Sequence, residues 1–410
     1  MRLYRDAIVV AVAEQWPGPT KGSDEVSRSY PRSPFREQRL LLVISCAIAL
    51  VACPGYAQYH IYWGDVHGHT SISDGKGSVD ECLTYARDSA GLDFVIVTDH
   101  DFGNAWPWHM PREAWEHTQK RVDARTEPGR FIAIVGYEWT SQPKYWTDVG
   151  PDVPSERLFP GPPRFYNHKN VYFPSPVPYL FSAKDPATMA PDLLAEAVRA
   201  VGGLIQNNHP SADKECADQF EYAPSCYSVI TNTEMDADDV TYQGKVYHLG
   251  TEQVVRGLLN RGGKTGFVKG TDTHEGKPAA RTAVLARDLT RESIFDALRH
   301  RRCYAVSNAR VVLDFRIDGH PMGEEIEVDG WPRLLVAVRG TAAIDEVAIV
   351  RDGVEMLTLH PGKRMLRFVH EDRTFTGSSY YYVRVTQAGT DENGNPSRAW
   401  ASPIWVRRRA

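Results

Sequence analysis

At 410 residues, 42% of them hydrophobic, the chain is long enough for one large or two medium domains with ample core. Its 47 Lys and Arg against 52 Asp and Glu give a net charge of -5, which leaves no polyanion-binding footprint. Nucleic acid and anionic membrane surfaces are thereby excluded as expected partners, and the short run Arg407 to Arg409 reads as a solvated tail.

Residues 1–35 contain Pro17, Pro19, Pro31 and Pro34 with little apolar periodicity, and read as a disordered extension or an upstream start-codon choice. Residues 36–57 join a charged stretch, Arg36 to Arg39, to the apolar run LLLVISCAIALVA, which is too short to span a bilayer. Small residues follow at Ala52, Gly55 and Ala57, so a secretory signal is predicted, and with it a periplasmic or extracellular protein. Cleavage after Ala57 would leave a soluble chain beginning at Gln58. Leu50-Val-Ala-Cys53 also looks like a lipobox, in which Cys53 would carry a lipid and become the new N-terminus. Membrane association is expected only through that signal or that lipid. Export permits disulfides, and Cys216 and Cys226 are near enough in a polar loop to close a small ring. Cys82 and Cys303 read as buried thiols. There is no Cys-x-x-Cys spacing, so a thiolate zinc site is not supported.

Residues 58–310 alternate strand-like and helix-like segments, which predicts an α/β architecture with a parallel sheet. YHIYWGDV reads as a strand and VDECLTYARDSAG as a helix capped at Gly91. DFVIV is the next strand, and PREAWEHTQKRVDAR a helix with Pro111 near its first turn. APDLLAEAVRAVGG and TEQVVRGLLNRGG are helices stopped by paired glycines, and TRESIFDALRHRR opens on Thr290. Seven strand candidates suggest a barrel close to (β/α)7. Pro143 to Pro163 is too long for a simple connection and reads as a lid or pocket wall. Trp106, Trp108, Trp139, Tyr145 and Trp146 either form an aromatic rim or pack on the barrel shoulder. In residues 311–410, VVLDFRI, RLLVAV, EVAIVRD, MLRFVH and YYYVRVTQ predict a small antiparallel β-sandwich without a metal-like cluster.

The chemistry lies at the ends of the strand-like runs. His67 and His69, Asp99 and His100, Glu138, His168, His209, Glu234, and Asp272 with His274 each adjoin one. Side chains two apart on a strand share a side, so His67 and His69 can grip one cation, as can Asp272 and His274. A single such pair is a weak signal; its repetition predicts a polynuclear metal site at one rim. Imidazole and carboxylate donors without thiolate suit Zn, Mn or Fe. Without metal, so many ionisable groups would carry heavy desolvation cost. The pattern reads as a metallohydrolase.

In order, Asp65-Val-His-Gly-His-Thr-Ser-Ile-Ser-Asp74-Gly, Thr98-Asp-His100, Glu138, His168, His209 and Asp272-x-His274 resemble the polymerase-and-histidinol-phosphatase (PHP) superfamily. The resemblance covers Tyr59 to Arg310. Opening on Gly-Asp-x-His-x-His-Thr and closing on Arg-Ala-Trp-Ala-Ser-Pro-Ile-Trp, the chain looks like an exported branch of it, with carbamate-insecticide hydrolases among more distant relatives.

That resemblance implies a distorted (β/α)7 PHP barrel with two or three divalent transition-metal ions, followed by the C-terminal β-sandwich. His67, His69 and Asp272 would bind the first ion, with Glu138 bridging to a second completed by His168 and His209. Asp74, His100 and His274 would hold the third. Glu138, Asp272, His274 and Asp99 form the expected catalytic set, Asp99 orienting a histidine rather than ligating. Asp65 would play a similar part or cap its strand. Glu234 would be a pocket-lining acid or a helix cap. The implied activity is hydrolysis of a phosphate mono- or diester, a small-molecule substrate, by a cation-activated water. Lys169, Arg281, Arg302 and Arg310 are candidates for phosphate contact. Two alternatives stand beside it: a carbamate or carboxylic-ester hydrolase on the same barrel, and a non-catalytic metal-binding envelope module.

Overall fold

The structure, a computed structural model, describes residues 59–101, 110–141, 167–178, 180–182, 185–188, 191–208, 230–232, 239–242, 245–248, 251–390, 394 and 396–410. The signal-like segment with Cys53 and Ala57 lies outside the described residues. So do Trp106, Trp108, Tyr145, Trp146, the Pro143 to Pro163 loop, His209, Cys216, Cys226 and Glu234.

Strands β1 (His60–Asp65), β2 (Phe94–Val97) and β3 (Ile132–Ser141) run parallel, separated by helices α1 (Val79–Thr84) and α2 (Arg112–Arg125). Strand β4 (Asn167–Phe173) turns back against β3, and β5 (Leu204–Asn207) turns back against β4, with α3 (Pro191–Ala200) between them. Next come β6 (Ile230–Asn232), the hairpin of β7 (Asp239–Tyr242) and β8 (Lys245–His248), α4 (Thr251–Asn260) and β9 (Gly266–Val268). β5, β6 and β9 pair in parallel. Just past their ends β1 and β9 meet: Gly68 lies opposite Thr273, and the His69 N–H donates to the Thr273 carbonyl at 2.9 Å. β10 (Thr282–Ala286) covers the other edge of β1 in antiparallel sense; after α5 (Arg291–Arg299), β11 (Cys303–Val306) pairs with β10.

The fold is therefore mixed α/β and sheet-rich, and it departs from a regular (β/α)7 repeat in two ways. β4 is antiparallel to both of its neighbours, and helices are few among the described residues. Strands buried on both faces explain the near-continuous apolar runs. Phe94 and Ile96 join one core with Ile132, Ile134, Tyr172, Leu204 and Val268. Val95 and Val97 point the other way, into a second core with Val79, Leu83, Trp115, Val122 and Leu194 from the helices.

Local chemistry sets the helix ends. Ser78 and Glu81 form a capping box at α1, and the Thr290 hydroxyl accepts from the Ser293 N–H at α5. The helix expected through Ala90 splits into α1 and a π turn over Tyr85–Ser89, after which Gly91 takes a φ of 58°. No helix among the described residues is long and apolar enough to cross a membrane.

After residue 310 the chain is strand-rich, and most pairings are antiparallel. These pairings are continuous with the first part: Tyr304, Ala305 and Val306 pair with Ala401, Trp400 and Ala399. Trp400 is buried with Val255 and Leu259 of α4, Phe267 of β9 and Ala305 of β11. The Ser402 hydroxyl accepts from the Phe267 N–H at 2.8 Å. The Ala-Trp-Ala-Ser stretch that closes the chain's motif thus braces the strand leading to Asp272.

Candidate metal centre

His67 and His69 follow β1 on one side of the extended chain, as period two requires, and both are fully buried. Asp65 secures that extension, accepting from the N–H groups of His67, Thr271 and Ala279 and from the Thr271 hydroxyl. Its carboxyl pKa is raised by burial, which those hydrogen bonds oppose. Asp65 therefore ties the turn after β9 to the end of β1. Within that turn Asp272 adopts a left-handed φ of 52°, fixed by donation of its N–H to the His67 carbonyl at 3.0 Å.

The antiparallel course of β4 explains why His168 opens its strand whereas the other site residues close theirs. A reversed strand presents its beginning at the rim where its neighbours end.

Glu138, fully buried on β3, is the hub. Its Oε2 lies 3.3 Å from Nε2 of His67, Nε2 of His69 and Nδ1 of His100. Its Oε1 lies 2.8 Å from Nδ1 of His168 and accepts from Asn208 at 2.9 Å. Asp272 Oδ1 stands 2.9 Å from His69 Nε2 and 3.4 Å from His67 Nε2. Nearer solvent, Asp74 Oδ2 is 3.3 Å from His274 Nε2 and 3.9 Å from His100 Nε2.

Among the described residues, ligand atoms fall into three overlapping groups, each within 4.8 Å: His67, His69 and Glu138; His100, Glu138 and His168; and His69, Asp74, His100 and His274. The last contains the trio that the resemblance implied for the third ion, with His69 added.

Imidazole orientation fits cation binding. His274 Nδ1 faces the Asp272 carbonyl at 3.0 Å, and a carbonyl only accepts, so Nδ1 carries the proton and Nε2 is presented to Asp74. The Thr140 hydroxyl donates to the Glu138 carbonyl and so accepts from His100 Nδ1 at 2.8 Å, which leaves His100 Nε2 available. His69 Nδ1 is buried without a hydrogen-bond partner, 3.7 Å from Asp74 Oδ1. Buried polar atoms are ordinarily satisfied, and a divalent cation would satisfy this one. The donor set fits such ions.

The charges are strongly coupled. Burial alone would lower the His69 pKa, but Asp272 and Glu138 raise it from 6.5 to about 9. His100 is pushed down to about 3, because burial outweighs the pull of Glu138 and is joined by His69 and His168. Burial opposes ionisation of Glu138 and Asp74 as well. Even so, His100, His168 and His67 hold Glu138 well below the usual carboxylate range, and His274, His100 and His69 do the same for Asp74. The hydrogen bond to Asp74 raises the His274 pKa.

Several expected residues lie elsewhere. Asp99 does not orient a histidine: its carboxylate accepts from the N–H and hydroxyl groups of Thr70 and Ser73, shaping the loop that carries His69 to Asp74. Trp139 is no rim residue, since alternation along β3 turns it away from Glu138 into the helix-side core. Lys169 is buried on the opposite face of β4 from His168. Arg281 donates to the Ser307 carbonyl, Arg302 pairs with Asp296, and Arg310 donates to the Ala90 and Gly91 carbonyls. Cys82 and Cys303 are buried free thiols, each pushed up to about 12 by burial. The sequence reading missed Asn208 and Thr140. Their signal was polar residues at alternate positions of β3 to β5, in step with Glu138 and His168.

Comparison with known proteins gives three findings. A family described as a protein of unknown function, DUF3604, matches residues 96–148 and 228–319. Uncharacterized proteins of Chlamydia muridarum and Chlamydia trachomatis are 27% and 26% identical, each over 87% of this chain and 59% of the relative. The chain thus spans 59% of the length of these curated relatives. A crystal structure from Bacteroides vulgatus, of a two-domain protein containing a predicted PHP-like metal-dependent phosphoesterase, is 12% identical with a TM-score of 0.40. That likeness covers 85% of this chain and 95% of that one. Over residues 96–148 and 228–319 the chain is similar to the DUF3604 family.

Proposed function

We propose that this protein is a metal-dependent hydrolase of phosphate esters, acting on a small-molecule mono- or diester. The observation that carries the reading is the Glu138 carboxylate, fully buried, with imidazoles of three histidines around one oxygen and that of a fourth on the other. Divalent cations held there would supply Lewis acidity and offset charge developing on a phosphoryl group. His67, His69, Glu138 and Asp272 would form the deep part of the site, with His100 and His168 beside it.

Asp74 and His274 stand at the mouth, their side chains 34% and 44% exposed, so an ester would approach from their side. His274 and His100 turn Nε2 toward Asp74, where a further cation would be held, and the Asp272 carbonyl orients the His274 ring. An exported site of action, from the signal-like residues 36–57, belongs to the same proposal.

The test is turnover by metal-loaded protein of bis-p-nitrophenyl phosphate, p-nitrophenyl phosphate and naphthyl methylcarbamate. Cleavage of either phosphate supports the proposal. Cleavage of the carbamate alone replaces it with the carbamate hydrolase, and inertness with metal bound replaces it with the binding module.

A further inference from the structure

Four polar side chains lie fully buried beside the Oε1 side of Glu138: Asn170 and Tyr172 on β4, and Gln206 with Asn208 at the end of β5. Period two puts His168, Asn170 and Tyr172 on one face of β4, and Gln206 with Asn208 on one face of β5. The register sets Asn170 opposite Gln206. Their neighbours in the same interior are apolar: Val66, Phe94, Ile96, Ile132, Ile134 and Val268 pack with the Tyr172 ring. Buried amides in such surroundings are costly unless every hydrogen bond is made.

The bonds run in one direction. The Tyr172 hydroxyl donates to Gln206 Oε1 at 2.7 Å, Gln206 Nε2 donates to Asn208 Oδ1 at 2.8 Å, and Asn208 Nδ2 donates to Glu138 Oε1 at 2.9 Å. An ionised carboxylate can only accept, so the amide end of Asn208 must face Glu138, and the sense of the chain follows. The second Asn208 N–H goes to Asn170 Oδ1 at 2.7 Å, leaving no freedom to flip. Donors aligned head to tail polarise one another, and the accumulated positive end falls on the carboxylate. At the far end the Val66 carbonyl, one residue before His67, accepts from Asn170 Nδ2 at 3.2 Å and lies 2.7 Å from the Tyr172 hydroxyl, whose single proton is shared between that carbonyl and Gln206 Oε1. Gly136, two residues before Glu138, leaves the space: a Cβ there would stand 2.9 Å from Tyr172 Cδ1.

We infer that Tyr172, Gln206 and Asn208 form a donor relay that positions Glu138 for cation binding. The relay fixes the Oε1 lobe, so that Oε2 stays turned to His67, His69 and His100. These are positioning residues: they act through Glu138 and the carbonyl beside His67. The inference rests on the reading of Glu138 as a cation-holding residue.

The full chain and its Asn208→Leu and Tyr172→Phe variants are titrated with Mn²⁺ by calorimetry and with Co²⁺ by visible absorption, and their metal-free melting is recorded. Loss of a supporting partner of a metal ligand weakens affinity by roughly 10- to 100-fold, which is the change expected for Asn208→Leu at one site at least. Tyr172→Phe, which keeps the ring and removes only the first donor, should give a smaller loss of affinity in the same direction. Both should shift the Co²⁺ bands.

Unchanged Mn²⁺ affinity and Co²⁺ spectrum in Asn208→Leu would overturn the inference. So would a Tyr172→Phe variant with lowered melting but wild-type affinity and spectrum, since the hydroxyl would then be merely structural. Should Asn208→Leu fail to fold, Tyr172→Phe decides by the same criteria. A wild-type chain that binds neither ion would instead overturn the metal reading itself, and the inference with it.

Discussion

Gly270 and His67 approach so closely that a Cβ on Gly270 would lie 2.3 Å from the His67 Cβ and 2.9 Å from its backbone nitrogen. That approach lets the turn after β9 lie against the extension of β1, and it sets Asp272 beside His67 and His69.

Gly270→Ala should therefore push the turn away from His67. Overpacking of this kind costs about 1–3 kcal/mol. Denaturant unfolding of the metal-free chain should show a loss of that order, and metal titration should show weakened binding at the ions that use Asp272. Wild-type metal affinity in this variant would mean that the close approach does not position the ligand.

Asp74→Ala tests the mouth of the site. Asp74 is partly exposed and its contacts are with imidazoles and the Ser73 hydroxyl, so stability should change by no more than about 1 kcal/mol. Elemental analysis should show one cation fewer or more loosely held, with the ions around Glu138 retained. Unchanged stoichiometry would mean that the site is binuclear.

The pH dependence has a definite sign. Without metal, His69 titrates near 9 when folded against a usual value of 6.5, so its contribution to stability is complete below about 6.5 and is lost as pH rises through about 9. Glu138 behaves oppositely. Its pKa is lowered, so its contribution is present above the usual 4.5 and is lost as pH falls further. Metal-free protein should thus lose stability on the alkaline side as His69 deprotonates, as melting curves from pH 5 to 10 would record. A cation requires neutral imidazole, so binding at pH 7 should release protons. Calorimetry in two buffers of different ionisation enthalpy measures that release, and its absence would contradict the placement of His69 in the site.

What could be read in the sequence depended on distance along the chain. The rim was legible because period two and apolar strand runs are local: His67 with His69, and Asp272 with His274, needed no tertiary knowledge. The same period, carried further, assigns Trp139 and Lys169 to the faces opposite Glu138 and His168. Asp99 adjoins His100 in sequence, yet alternation turns its carboxylate toward Thr70 and Ser73. The tasks of Arg310 and Arg281 were not legible. They are set by carbonyls of Ala90, Gly91 and Ser307, brought close only by folding. Nor was the reversal of β4, since side-chain alternation along a strand is the same in either direction. Continuity between β11 and Pro396–Ala401 is likewise a long-range pairing, invisible to alternation alone.

The most direct test is elemental analysis of the purified chain and of its Glu138→Gln variant, with turnover of bis-p-nitrophenyl phosphate measured on the same samples. The account predicts at least two divalent cations in the wild type, and in Glu138→Gln the loss of at least one together with all measurable turnover. Full metal content and near-normal turnover in Glu138→Gln would contradict it.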